Sequence, residues 1–143
     1  MEEVAQKFKE VFAGLERAHG IYEITGQKNT AKGVKKDGRG RTLQEPLTLD
    51  LWESHLKGDV SIGVIPLTDD ETCKWGCIDV DEYPIDPKSL ISKIEEMQLP
   101  LLPCMTKSGG VHLFLFTKQP IPAIKFQAKL EEIAAAMGRT GDE

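Results

Sequence analysis

The sequence predicts an α+β fold in which a β-α-β-β module follows an N-terminal α/β segment. Three observations carry this expectation. Short runs rich in β-branched, aromatic or aliphatic residues, at 60–65, 75–83, 101–105 and 111–116, are bounded by glycine and proline, as strands are. Two longer stretches, 87–97 and 122–137, repeat their apolar residues at helical spacing. The order is strand, helix, then two strands joined by a glycine turn, and a right-handed crossover sets the first strand beside that hairpin in one sheet. At 143 residues, 40% hydrophobic and 29% charged, the chain suffices for one domain with its own core. Within it, the N-terminal segment takes 1–58 and the module 59–137.

Taken in order, Val4, Phe8, Val11, Phe12 and Leu15 recur at helical spacing, so 2–18 reads as an amphipathic helix packed on the core and stopped near Gly20. Residues 19–46 carry no clear period; a short strand enters at His19-Gly20-Ile21-Tyr22. Thr48 caps a short helix that turns Leu49, Trp52 and Leu56 inward and ends at Gly58. His55 on that helix reads as a packing or surface residue. A strand at 60–65 is closed by Pro66, and 68–72 is an acidic, solvated turn. Asp86 and Pro87 start a helix whose buried stripe is Leu90, Ile91, Ile94 and Met97, and Pro100 stops it. Pro122 opens a last helix with Phe126, Leu130, Ile133 and Met137 on one face and Gly138 as its cap.

Composition excludes several classes. No apolar run approaches the roughly 20 residues that span a bilayer. The acidic start, Met1-Glu2-Glu3, is unlike a signal peptide, so a cytoplasmic location is expected. Cys73, Cys77 and Cys104 are odd in number, which suits reduced thiols, and no second Cys/His pair completes a zinc site with Cys73 and Cys77. The net charge of −5 argues against nucleic-acid binding through overall charge. Against that background 26–42 is distinctive. It carries Lys28, Lys32, Lys35, Lys36, Arg39 and Arg41 with four glycines around a single acid. It reads either as a solvated loop or hairpin, or as the place where a nucleic-acid backbone binds.

Two stretches carry candidate chemistry. In Trp75-Gly76-Cys77-Ile78-Asp79-Val80-Asp81-Glu82-Tyr83 the alternation of a strand puts Asp79 and Asp81 on one face, about 7 Å apart, and Ile78 and Val80 on the other. Paired carboxylates repel each other unless a cation lies between them, and Mg2+ or Mn2+ takes one or two carboxylates together with substrate phosphates. Two ordinary surface acids would look the same in isolation. The second stretch is Thr106-Lys107-Ser108-Gly109-Gly110-Val111-His112. Its glycines bring backbone N–H groups near an anion, Ser108 adds a donor, Lys107 adds charge, and His112 opens a strand on the face of Phe114 and Phe116. A plain β-turn with a half-buried histidine behind it is the simpler alternative. In a β-α-β-β arrangement the acids and the hairpin converge, with metal ligands on one side and triphosphate donors on the other, which suits phosphoryl transfer.

Ile78-Asp79-Val80-Asp81 and Ser108-Gly109-Gly110-Val111-His112 resemble the first two motifs of the archaeo-eukaryotic primase superfamily. With His55-Leu56-Lys57-Gly58, Gly63-Val64-Ile65-Pro66-Leu67, Thr72-Cys73 and Ile121-Pro122-Ala123, the likeness is to primase-polymerase domains of phages and of bacterial conflict systems of the TOTE type. It runs over roughly 50–137 and is specific in order and spacing. It implies an RRM-like catalytic module for 59–137. It also implies that Asp79 and Asp81 hold Mg2+ or Mn2+ as the catalytic acids. Lys107, Ser108, Gly109, Gly110 and His112 would contact a nucleoside triphosphate, with single-stranded DNA as template. A helicase, or a C-terminal remainder of the same protein, is an implied partner, and a bacterial or phage-infected cytoplasm the implied setting. The family carries a third acid on a later strand. Here the sequence ends at Gly141-Asp142-Glu143, so Asp142 or Glu143 is the candidate for it. The expectation is the front part of a primase-polymerase, truncated or split, with little activity alone.

Two other readings use the same residues. A non-catalytic RRM-like nucleic-acid-binding domain would need exposed aromatics on its sheet, whereas only 6% of the chain is aromatic and Phe114 and Phe116 are expected in the core. A metal-dependent nuclease accounts for Asp79 and Asp81 but gives the Lys-Ser-Gly-Gly-x-His turn no role.

Overall fold

The N-terminal stripe does form a helix, but a shorter one than its periodicity predicts. In the computed structural model, which describes residues 1–31 and 33–139, helix α1 spans Glu2–Val11. Beyond it the chain turns to run against a later segment. The Leu15 N–H donates to the Ile65 carbonyl at 2.8 Å, and a Cβ at Gly14 would collide with that same carbonyl. The stripe is also less buried than expected. Ala5, which is outside that stripe, is the buried residue of α1, while Val4, Phe8 and Val11 are 49%, 39% and 44% exposed.

The chain divides into two units, Met1–Asp70 and Glu71–Glu143. In the first, β1 (His19–Thr30) and β2 (Gly33–Leu43) form a long antiparallel hairpin. Helix α2 (Leu49–Lys57) follows, capped by the Thr48 hydroxyl on the Leu51 N–H at 3.3 Å and ended by left-handed Gly58, as the sequence indicates. Phe8 of α1 and Phe12, its C-cap, lie 6.1 and 6.4 Å from the Trp52 ring, which is 5% exposed. His55 stacks edge-on to Trp52, and its Nδ1 lies 3.0 Å from the Val60 carbonyl. The strand expected at 60–65 shortens to β3, Ile62–Gly63, which pairs with Ile21 and Gly20 of β1. That pairing puts β3 in the first unit, whereas the sequence reading groups it with the module that follows. Asp69, expected to be solvated, receives two short bonds from Arg17, 2.8 and 2.9 Å. Those bonds hold its carboxyl below the usual carboxylate range. His19 is 1% exposed, with Nδ1 2.8 Å from the Glu45 carbonyl, so it is a satisfied interior histidine.

The second unit is β4 (Thr72–Val80), α3 (Pro87–Glu96), β5 (Leu102–Met105), β6 (Val111–Pro122) and α4 (Ala123–Ala136). The sheet order is β4-β6-β5, antiparallel throughout, so the first strand does lie beside the hairpin. One face of this sheet makes the core. Val80, Val111, Leu113 and Leu115 pack with Leu90 and Ile94 of α3 and with Phe126, Ile133 and Met137 at α4. Ile91 and Met97, expected in the buried stripe of α3, are 41% and 37% exposed. Helix α4 comes close to the sheet at Gly76, where an added Cβ would lie 2.8 Å from both Phe126 Cε1 and Leu130 Cδ1. Side chains on Asp86 and Lys93 fix helix ends. Asp86 accepts from the Lys88 N–H at 3.1 Å, and Lys93 Nζ donates to the Met137 carbonyl at 2.6 Å. The architecture is therefore α+β, with four helices and two three-stranded sheets among the described residues.

Candidate active site

Strand alternation in the second unit decides which side chains leave the core. Val80 is 0% exposed and Val111 is 2% exposed. Their neighbours Asp79 and His112 therefore point to the opposite face. The register pairs Asp79 with His112 and Val80 with Val111. The Asp79 carboxylate is 61% exposed, and its Oδ1 lies 3.5 Å from His112 Nε2. Cys104 of β5 pairs with His112 from the other side, so Cys104, His112 and Asp79 form one row across three strands.

Asp81 lies just past the end of β4 and is exposed. Its position depends on Gly110. A Cβ at 110 would sit 2.7 Å from Asp81 Oδ1, 3.0 Å from Thr106 Oγ1 and 3.0 Å from the Val80 carbonyl oxygen. The missing side chain is the space the carboxylate uses. The Tyr83 hydroxyl donates to Asp81 Oδ1 at 3.3 Å. The hairpin thus meets both acids, one beside His112 and one over Gly110.

The turn itself is closed by two bonds, Thr106 N–H to Gly110 O at 2.9 Å and Gly109 N–H to Thr106 O at 3.1 Å. Gly109 has φ +88°, a conformation that glycine adopts without steric penalty and that this loop length requires. This corrects one expectation, that both glycine amides line an anion site. The Gly109 N–H closes the turn, and Gly110 clears room for a carboxylate. Lys107 and Ser108 are exposed at the tip, with Ser108 Oγ 3.2 Å from Thr106 Oγ1.

A second correction concerns the rings. Phe114 and Phe116, expected in the core, lie half-buried on the face of His112, while Leu113 and Leu115 fill the core. Phe114 is edge-on to His112 at 5.8 Å, stacked on Phe116 at 5.9 Å and tilted against Trp75 at 6.0 Å. Cys77 shares this face with Asp79. Burial first, and the Asp79 charge second, push its thiol up to about 11. A cysteine kept neutral beside a carboxylate leaves the charge of the face to the acids.

Among the described residues no group of three His, Cys, Asp or Glu side chains gathers to hold a metal ion. Two carboxylates at the edge of a solvent-facing turn nevertheless fit one class of ion. A hard divalent cation accepts one or two protein oxygens and fills its remaining positions with water and substrate phosphate. Asp142 and Glu143, the candidates for a third acid, lie outside the described residues, as does Lys32. The other hairpin bases, Lys28, Lys35, Lys36, Arg39 and Arg41, belong to β1 and β2 of the first unit. A cavity of about 280 Å³ is lined by first-unit residues such as Phe12, Leu47 and Trp52, and one of about 70 Å³ lies between α3 and β5.

Tyr83 and Thr106 were not singled out from the sequence for the contacts they make. Neither follows a period, and only the strand register brings them to Asp81 and Gly110. No helix among the described residues is long and apolar enough to cross a membrane.

The family model for the archaeo-eukaryotic primase domain of TOTE conflict systems covers residues 6–141, and no curated protein matches the chain. The match takes in the strand of Asp79, the hairpin of His112 and the segment ahead of them, and the chain belongs to the archaeo-eukaryotic primase domain family of TOTE conflict systems.

Proposed function

We propose that the second unit is the nucleotidyl-transfer core of a primase-polymerase that extends a primer on a single-stranded DNA template from nucleoside triphosphates. The observation that carries this reading is the meeting of two acids and one hairpin. Asp79 is in register with His112, and Asp81 occupies the space over Gly110. In the reaction a primer 3′ oxygen attacks the α-phosphorus, the bond to the β-phosphate oxygen breaks, pyrophosphate leaves, and the 3′ hydroxyl proton passes to solvent. Asp79 and Asp81 would hold Mg2+ or Mn2+, which supplies charge neutralisation and a more acidic 3′ hydroxyl. His112 and the Ser108 hydroxyl donate to phosphate oxygens, and Lys107 adds positive charge at the exposed tip. Gly109 and Gly110 set the turn that carries these donors. Two exposed carboxylates favour binding of metal and nucleotide together over either alone. A helicase is the partner this reading implies, and the cytoplasm of a bacterial or phage-infected cell the setting.

The test is a primer-extension assay with labelled nucleotides, single-stranded template and Mn2+. Extension by the wild-type chain should fall by about 100-fold or more in Asp79→Asn. Robust extension unchanged by that substitution would defeat the assignment, and metal-dependent shortening of the labelled strand would transfer the same acids to a nuclease.

A further inference from the structure

The first unit carries a structure that nucleotidyl transfer does not use. Among the described residues, Gly20 and Ile21 are the part of β1 with a third-strand partner, in β3. From Tyr22 outward β1 and β2 form a bare two-stranded ribbon, and every described residue from Glu23 to Ala31 is exposed. At about 3.3 Å per residue the ribbon extends roughly 25 Å. An isolated hairpin is marginal in water, and this one covers no core. Its cross-strand ion pairs, Lys28–Asp37 at 3.0 Å and Arg41–Glu23 at 2.9 Å, are solvent-exposed and contribute little. What the ribbon presents to a partner accounts for it better than what it buries.

What it presents is charge of one sign. Residues 23–41 hold six bases and two acids, while the rest of the chain is strongly acidic. Both acids are matched within the ribbon by Lys28 and Arg41. Lys35, Lys36 and Arg39 make no ion pair among the described residues. These three are not on one side. β2 pairs without a bulge of its own, so Lys35 and Arg39 share one face with Lys28 and Arg41, and Lys36 projects from the other, beside Gln27, its register partner. The ribbon is exposed on both faces and carries bases on each, which suits an element set between two walls of phosphate. A two-stranded ribbon fits the B-form major groove, about 12 Å wide, whereas the major groove of A-form RNA is too narrow and deep for side chains to read.

We infer that the β1–β2 ribbon is a groove-binding arm for duplex DNA, with Lys35, Lys36 and Arg39 as its phosphate contacts. This stands independently of the chemistry proposed for Asp79 and Asp81. The test is fluorescence anisotropy of the full chain with a labelled DNA duplex, the matching single strand and a duplex RNA, across about 50 to 200 mM salt. Wild type should bind the DNA duplex most tightly. Lys35→Glu/Lys36→Glu/Arg39→Glu should weaken it about tenfold or more and reduce the log–log salt slope by roughly 2 to 3. Asp79→Asn/Asp81→Asn should bind as wild type, so failure of the arm and failure of the active-site reading are told apart. Circular dichroism of the arm variant should be unchanged, because all three side chains are on the surface. Duplex affinity and salt slope unaltered in the arm variant, tighter binding of single-stranded DNA or duplex RNA, or no duplex binding by wild type would each overturn the inference.

Discussion

Each unit of this protein has a glycine-bearing, lysine-bearing hairpin, and the two use the same residue types in opposite ways. The β5–β6 hairpin buries one face. Val111, Leu113 and Leu115 are 2%, 0% and 7% exposed beneath α3 and α4, so every outward side chain is held in a fixed place. The β1–β2 hairpin buries almost nothing beyond its root, and Tyr22, Ile24 and Val34 are 47%, 58% and 61% exposed. Gly110 exists to admit a carboxylate, whereas Gly26, at the irregularity in β1, would meet no atom within 4 Å if it carried a Cβ. Chemistry that needs ångström placement belongs on the first kind of hairpin. Binding of a uniform, charged backbone tolerates the second.

The sharpest contrast is in stability. Leu113→Ala should destabilise the protein by about 2–5 kcal/mol in urea unfolding, because it opens a cavity at the centre of a packed face. Val34→Ala on the ribbon should change stability by less than about 0.5 kcal/mol. Equal effects would erase the distinction. The next largest effect is at Gly110. Gly110→Ala places a methyl against Asp81, Thr106 and the Val80 carbonyl, and should reduce Mn2+-dependent nucleotide binding by about tenfold or more. The matching change on the ribbon, Gly26→Ala, should leave that binding unaltered. A Gly110→Ala protein that binds nucleotide normally would show that Asp81 does not need this space.

Thiol chemistry sharpens the picture within the second unit. Cys104 is exposed, Cys73 is buried, and Cys77 has its thiol pushed up to about 11 by burial and by Asp79. Iodoacetamide at neutral pH should label Cys104 first, with Cys77 and Cys73 following only on unfolding, as read by mass spectrometry. Faster labelling of Cys77 would place it in a more polar setting than the sheet face described. The smallest effect concerns pH in the first unit. Asp69 is held below the ordinary carboxylate value by hydrogen bonds from Arg17. A lowered folded-state value contributes stability above the unfolded pKa of about 4, and that contribution is lost as pH falls through the folded value. Both partners are exposed, so the loss is slight. Asp69→Asn should lower the melting temperature slightly at neutral pH and flatten the thermal-melt pH profile below about pH 4, where the wild-type contribution is itself lost.

Much of the fold was legible from the sequence where its signals are local. Asp86-Pro87 starts α3, Thr48 and Gly58 bound α2, and the alternation through Val80 and Val111 turns Asp79 and His112 to one face. The order of the two motifs placed them on neighbouring strands. What was not legible depends on pairing. Nothing in Val4, Phe8 and Val11 says that the helix ends before Gly14, since the reason is the Ile65 carbonyl lying against it. The residues 19–46 lack a period because a ribbon exposed on both faces has no core to impose one. Phe114 and Phe116 read as core residues by their size, but the alternate positions, Leu113 and Leu115, took that role. The division of labour between Gly109 and Gly110 follows from the register that brings Asp81 over the turn.

The most direct measurement is electron paramagnetic resonance of Mn2+ titrated with the full chain, with and without a nucleoside triphosphate. The expected result is Mn2+ uptake beyond that of the nucleotide alone when protein and nucleotide are both present, with that excess lost in Asp79→Asn and, separately, in His112→Ala. Uptake that is the same in both variants as in wild type would mean that the acids and the hairpin do not share a ligand.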